Sequence, residues 1–238
     1  MATESKVLEY LDGDTQCRGF YRRPTGAGGP LPLVLLCPAW DGLVQELHDK
    51  AAKFAAQGYI AVGVDVLGGG RTLHDMADLE PALTPFMLDR AMLLRRLLAA
   101  VEAAKTIEGA DPGRIAAVGY CFGGLCALDL ARSGGSAIRA AVSFHGGLAS
   151  NGLGDEPVSA HILVLHGRDD PLVPPEQVAA FEQEMTERKA DWQLVSYGLT
   201  AHAFTRPDAN YPAGGIMYSP LADRRSWEAA TRFLAEVL

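Results

Sequence analysis

The chain has 238 residues, and its 29 acidic and 21 basic residues give a formal net charge of −8. This length suits one α/β domain or two small ones and allows a sizeable core. The acidic balance disfavours binding to nucleic acid and to anionic membranes.

Residues 1–6 contain no apolar signal core, and the longest apolar runs are too short to span a bilayer. The four cysteines show no repeated spacing typical of a secreted disulfide framework. The sequence therefore predicts a cytoplasmic protein, not bound to membranes, that is a monomer or a small homo-oligomer.

Apolar β-branched runs alternate with amphipathic stretches, which predicts a mostly parallel sheet with helices on both faces. The eight predicted strands are Val7–Tyr10, Cys17–Arg22, Leu33–Cys37, Ile60–Asp65, Ile115–Tyr120, Ala140–His145, Ile162–Gly167 and Gln193–Tyr197. The first two are expected to be antiparallel, because a turn with Asp12-Gly13 joins them. The predicted helices are Gln45–Gln57, Leu88–Lys105, Gly123–Arg132, Glu176–Arg188 and Pro220–Val237. No break in composition divides the chain, so residues 1–238 are predicted to form one α/β domain.

Residues 119–123 read Gly-Tyr-Cys-Phe-Gly at a predicted strand-to-helix junction. This pattern is the nucleophile elbow of the α/β-hydrolase fold, with Cys121 where serine usually stands. The glycines allow a strained backbone and close packing, and a helix N-terminus favours an anion such as a thiolate. The alternative is a buried structural cysteine in a tight turn, since free cysteine is among the most buried residue types.

An acid is expected in the loop after strand Ile162–Gly167, because functional groups gather at the carboxyl ends of parallel strands. The pattern H-G-x-x-D-x-x-V-P places Asp170 at the acid position of many such hydrolases. Asp169 is the rival, and a plain turn carboxylate is the alternative for both.

The base is expected after the last strand, in the loop that contains His202, which completes the order nucleophile, acid, histidine. His145 and His166 also follow predicted strands, and we interpret them as hydrogen-bonded structural histidines. The oxyanion would be held by the backbone N–H groups of Phe122 and of Trp40, in the loop after the third strand.

With these residues, the chain resembles the dienelactone hydrolase family. The resemblance extends over nearly the whole length of the chain. The resemblance depends on residues 119–124, on the Asp170 loop, and on His202-Ala203-Phe204 with Arg206 four residues after the histidine. It implies a small α/β-hydrolase domain with no large lid that opens esters and lactones with a Cys121-Asp170-His202 triad. It also implies that Arg206 holds a substrate carboxylate.

One departure concerns a family glutamate that lies beside the resting thiol, because its position corresponds to Ala39 here. Asp41 is the candidate to replace that glutamate, and we expect it in the binding site. A second substrate-binding arginine of the family has no clear match, and Arg71 is the candidate.

No metal or nucleotide motif occurs in the sequence, so no metal site and no cofactor is predicted. The expected partner is a small ester or lactone.

Two other classes of function remain at this point. One is a noncatalytic binding protein on the same fold. The other is a thiol-redox protein in which Cys126 resolves an oxidised Cys121.

Overall fold

The structure is a computed structural model that describes residues 2–26, 28–135 and 137–238. Its main strands are β1 (Thr3–Asp12), β2 (Thr15–Pro24), β3 (Leu31–Cys37), β4 (Ile60–Gly63), β5 (Ala110–Tyr120), β6 (Ala140–Phe144), β7 (His161–Gly167) and β8 (Asp191–Tyr197). Within the described residues these strands form one eight-stranded sheet in the order β1-β2-β4-β3-β5-β6-β7-β8. β1 and β2 are antiparallel, as predicted, and β2 is also antiparallel to β4. The other neighbours are parallel.

Helices cover both faces of this sheet. They are α1 (Gln45–Ala56), α2 (Leu79–Leu88), α3 (Arg90–Lys105), α4 (Phe122–Arg132), α5 (Pro175–Glu187) and α6 (Pro220–Val237). Apolar side chains of α1 and α6 form the core on one face, and those of α3, α4 and α5 form it on the other. The predicted mostly parallel eight-stranded α/β fold is therefore confirmed. No helix in the described ranges combines the length and apolar character needed to cross a membrane.

The segment before α3 differs from the prediction, which had one helix over Leu88–Lys105. Here α2 ends at Leu88 and α3 begins at Arg90, because Asp89 leaves the helical conformation and its side chain accepts a hydrogen bond from the Met92 N–H (2.8 Å). Pro81 does not prevent α2, since it lies in the first turn, where no intrahelical N–H bond is needed.

Buried ion pairs hold α4, the helix that begins next to Cys121, against its neighbours. Asp129 has no exposed surface and receives hydrogen bonds from Arg90 of α3 at 2.6–2.9 Å. Arg132 binds Glu184 of α5 (2.8 Å), and Glu184 also binds Arg188 (3.3 Å). These ion pairs join α4 to α3 and α5, so α4 is held at its C-terminal end.

A small two-stranded sheet, β9 (Asn210–Tyr211) and β10 (Ile216–Met217), was not predicted. Strands of two residues carry no periodicity that a sequence pattern can detect. The hairpin supports the His202 loop, because the His202 N–H donates to the Gly215 carbonyl (2.9 Å) and the Met217 N–H donates to the His202 carbonyl (3.0 Å).

Candidate active site

Cys121 lies between β5 and α4 in a strained backbone conformation, with φ 54° and ψ −119°. A non-glycine residue at such angles persists only where its surroundings enforce them, and such residues cluster at functional sites. A Cβ atom at Gly119 would overlap the Gly123 carbonyl, and one at Gly123 would overlap the Cys37 carbonyl. The two glycines of the elbow are therefore required by packing.

The structure brings Cys121, His202 and Asp170 into one hydrogen-bonded chain. His202 Nε2 lies 3.1 Å from Cys121 Sγ, and His202 Nδ1 lies 2.7 Å from Asp170 Oδ2. Asp170 Oδ1 accepts a hydrogen bond from the Leu172 N–H at 2.9 Å. Asp170 and His202 are buried, whereas Cys121 is partly exposed. This is the arrangement of nucleophile, base and orienting acid that acyl-transfer enzymes use.

The adjacent Asp169 lies apart from this chain. It is exposed, and no described residue forms a hydrogen bond with its side chain. Of the two carboxylates left open by the sequence, Asp170 is the one that contacts the histidine.

His202 is surrounded by groups that favour its charged form. Burial alone would lower its pKa, but the hydrogen bonds to Asp170 and Cys121 outweigh burial and raise the pKa from 6.5 to about 10. His202 is therefore an imidazolium at neutral pH, with an acidic group on each ring nitrogen.

His145 packs beside His202, with ring centroids 5.1 Å apart. Its Nδ1 accepts the Cys121 backbone N–H (3.2 Å), so its Nε2–H donates to Thr205 Oγ1 (2.9 Å). Burial, followed by the charge of His202, holds the pKa of His145 well below 6.5. His145 is thus a neutral, hydrogen-bonded residue that supports the elbow. Thr205 was not singled out from the sequence, since a lone threonine in a loop carries no signal.

Of the two expected oxyanion donors, one follows Cys121 directly in the chain and the other belongs to the cavity that Cys121 lines. Phe122 is the first residue of α4, and Trp40 lines the cavity above the thiol. Their backbone N–H groups donate to no acceptor among the described residues. Free N–H groups at a helix N-terminus and in an adjoining loop can stabilise a developing oxyanion.

A cavity of about 580 Å³ opens over Cys121, and its lining is mostly apolar. Arg206 lines it as expected, but its Nη1 donates to Asp41 Oδ2 at 2.7 Å, so Asp41 is bound to the arginine. Arg71 lies elsewhere, because its guanidinium donates to the carbonyls of Leu67 (2.7 Å) and Gly68 (3.3 Å) and does not line the cavity. The structure therefore does not bring Arg71 to the site.

Ala39 also lines the cavity, at the position of the family glutamate. Among the described residues no carboxylate forms a hydrogen bond with Cys121 Sγ, whose partner is His202. The described ranges also contain no group of three or more His, Cys, Asp or Glu side chains able to hold a metal ion.

Residues 17–238 match the model of the dienelactone hydrolase family. The chain belongs to the dienelactone hydrolase family. It is accordingly a hydrolase of carboxylic esters on a single-domain α/β-hydrolase fold.

Individual relatives agree with this family. A Bradyrhizobium protein named "probable 2-oxo-3-(5-oxofuran-2-ylidene)propanoate lactonase" is 28% identical, and the match covers 98% of this chain and 96% of the relative. The solved structure of a dienelactone hydrolase-like promiscuous phosphotriesterase, P91, from metagenomic libraries is 34% identical, with a TM-score of 0.93 over 100% of this chain and 99% of that one. A solved structure named m3DLH is 37% identical, with a TM-score of 0.95 over 100% of both chains.

Proposed function

We propose that this family member hydrolyses small esters and lactones through a Cys121-Asp170-His202 triad and a covalent acyl-thioester intermediate. The observation that carries the proposal is the continuous hydrogen-bonded chain from Cys121 Sγ through His202 to Asp170. The strained elbow and the cavity above Cys121 support it, because they present the sulfur to a bound substrate.

In the first half of the reaction, the Cys121 thiolate attacks the carbonyl carbon of the substrate. A C–S bond forms, and the carbonyl oxygen becomes an oxyanion that accepts hydrogen bonds from the Trp40 and Phe122 N–H groups. When the oxyanion collapses, the bond to the leaving oxygen breaks. The His202 imidazolium gives its proton to that oxygen, so the alcohol leaves and His202 becomes neutral.

In the second half, neutral His202 accepts a proton from a water molecule, whose oxygen attacks the thioester carbonyl. The C–S bond breaks, the carboxylic acid leaves, and the thiolate–imidazolium pair is restored. Asp170 keeps the imidazole oriented through Nδ1 in both halves.

A thiolate leaves a tetrahedral intermediate more readily than an alkoxide does, so amides with poor leaving groups should revert to substrate. Activated esters, enol lactones and thioesters are favoured. The lactonase name of the Bradyrhizobium relative agrees with the lactone part of this range. A carboxylesterase or thioesterase of broad specificity is the same chemistry with a less selective cavity.

The redox alternative receives little support from the position of Cys126. This residue is fully buried inside α4, and burial raises its pKa well above the usual value. A buried thiol that resists ionisation is a poor resolving partner for an oxidised Cys121.

We place the protein in the cytoplasm, unattached to membranes and as a monomer or small homo-oligomer. The four free cysteines are consistent with a reducing compartment.

The test of the function is a panel of 4-nitrophenyl esters, enol lactones, thioesters and amides, assayed on the wild-type enzyme. Turnover of activated esters and lactones with slow or absent amide hydrolysis is the expected result. Binding without turnover of any panel member would favour the noncatalytic alternative.

The resting state of the thiol gives a separate prediction. Because His202 Nε2 lies 3.1 Å from Cys121 Sγ and no described carboxylate binds that sulfur, we expect Cys121 to react readily with electrophiles without substrate. Alkylation of Cys121 by iodoacetamide at neutral pH, followed by mass spectrometry, should be faster than alkylation of an ordinary free thiol.

Cys126 in the same protein is the internal reference for this measurement, since it is buried and should react slowly. Ala39→Glu is the matched variant, because a carboxylate at this position can hold the thiol neutral and should slow alkylation. A wild-type rate no greater than that of an ordinary free thiol under the same conditions would contradict an activated resting thiol.

A further inference from the structure

Two nitrogens of the Arg206 guanidinium, Nε and Nη1, already pair with carboxylates of this chain. Its Nη1 donates to Asp41 Oδ2 at 2.7 Å, and its Nε donates to Asp208 Oδ1 at 2.9 Å. A third carboxylate, that of Glu46, is more distant, with its Oε2 3.8 Å from Arg206 Nε. Asp41 is 3% exposed, so the carboxylate of this ion pair is buried, whereas the Arg206 side chain is 26% exposed.

We call Arg206, Asp41, Asp208, Glu46 and Lys50 the Arg206 cluster. Lys50 forms an ion pair with Glu46 and adds the second positive charge. Three carboxylates and two cations leave one excess negative charge beside the substrate cavity, which Arg206, Asp208 and Glu46 help to line. A substrate carboxylate placed against Arg206 would therefore meet carboxylates as well as the guanidinium, and their repulsion opposes the attraction to the guanidinium.

The rest of the cavity is suited to an uncharged substrate. The cavity is lined by three large apolar side chains that remain exposed. They are Met76 (62% exposed), Leu172 (56%) and Tyr211 (59%). Leu79 and Ile216 extend this apolar wall. Exposed apolar groups gathered around one cavity mark a site for apolar ligands, in contrast to single exposed residues scattered over a surface.

We infer that this site selects uncharged, apolar esters and lactones and discriminates against substrates that carry a carboxylate. Arg206 then acts as a positioning residue that ties the Trp40 loop, through Asp41, to the segment after His202. The inference rests on the proposed ester hydrolysis and names its substrate class.

The experiment compares three 4-nitrophenyl esters of equal chain length. The acyl chain ends in a carboxylate, in the methyl ester of that carboxylate, or in a trimethylammonium group. We expect kcat/KM for the neutral ester to exceed that for the anionic ester by at least about tenfold, with the cationic ester also above the anionic one. Added salt should raise kcat/KM for the anionic ester alone, because it screens the excess negative charge.

Asp208→Asn is the informative variant, since Asp208 is exposed and its loss removes one negative charge from the Arg206 cluster. It should raise the ratio of kcat/KM for the anionic ester to kcat/KM for the neutral ester several-fold. Glu236→Gln is the matched control, because Glu236 is exposed on α6, does not line the cavity, and changes the net charge of −8 by the same amount. It should alter none of the three rates.

The possible failures are distinguishable. An anionic ester hydrolysed as fast as the neutral one, or made worse by Asp208→Asn, overturns the inference while ester hydrolysis stands. Equal gains from Asp208→Asn and Glu236→Gln also overturn it, because they would trace the discrimination to the net charge of the protein. Absence of turnover on all three esters overturns the proposed function itself, and the inference with it.

Discussion

Replacing Cys121 with alanine should abolish turnover of every activated ester and lactone, with a loss of kcat on the order of 10⁶-fold. The variant keeps the Trp40 and Phe122 N–H groups and the cavity, but it has no atom that can form the acyl-enzyme. Only the weak catalysis that binding and the oxyanion donors provide should remain. The measurement is kcat on the best panel substrate, with circular dichroism and thermal unfolding to show that the fold is intact.

Cys126→Ala is the matched control, because it removes a sulfur from α4, the helix that begins next to Cys121, without touching the cavity. Cys126 is fully buried, so this variant should lower the free energy of unfolding while kcat stays near the wild-type value. If Cys121→Ala retained most of the activity, the nucleophile would have to be sought elsewhere in the cavity.

Much of the fold could be predicted because its signals are local. Buried parallel strands are short apolar runs, and each amphipathic helix shows its own period, so the order of elements follows from one sequence. The elbow is also local: Gly119 and Gly123 flank Cys121 because a Cβ at either position would overlap backbone. Asp170 and His202 could be nominated because carboxyl ends of parallel strands meet at one edge of the sheet.

The features that escaped prediction depend on contacts between distant segments. Arg206 and Asp41 are 165 residues apart in sequence, and their pairing is visible only once the loops after β3 and β8 are folded together. A resemblance to a family predicts an arginine at position 206 but does not reveal which carboxylates surround it. The β9–β10 hairpin and α2 were missed for a related reason, since the tertiary contacts of these short segments, and not a clear period, determine their conformation.

The second prediction with a large effect distinguishes the roles of two adjacent carboxylates, Asp170 and Asp169. Asp170→Asn should lower kcat by up to about 10⁴-fold, because the amide removes the negative charge from Nδ1 of His202 and can favour the wrong tautomer. Asp169→Asn should have little effect, since Asp169 is exposed and its side chain bonds to no described residue. A reversal of these two effects would move the orienting role to Asp169.

The pH dependence of kcat/KM distinguishes an orienting role of Asp170 from a merely structural one. Asp170 is among the groups that raise the pKa of His202 to about 10, so its neutralisation should lower that pKa. His202 would then lose its proton at a lower pH, and with it the ability to protonate a poor leaving group. For an alkyl ester, the alkaline limb of kcat/KM should therefore shift to lower pH in Asp170→Asn and stay in place in Asp169→Asn. An unshifted limb together with a reduced Tm would show that Asp170 only stabilises the loop, and the triad would lose its acid.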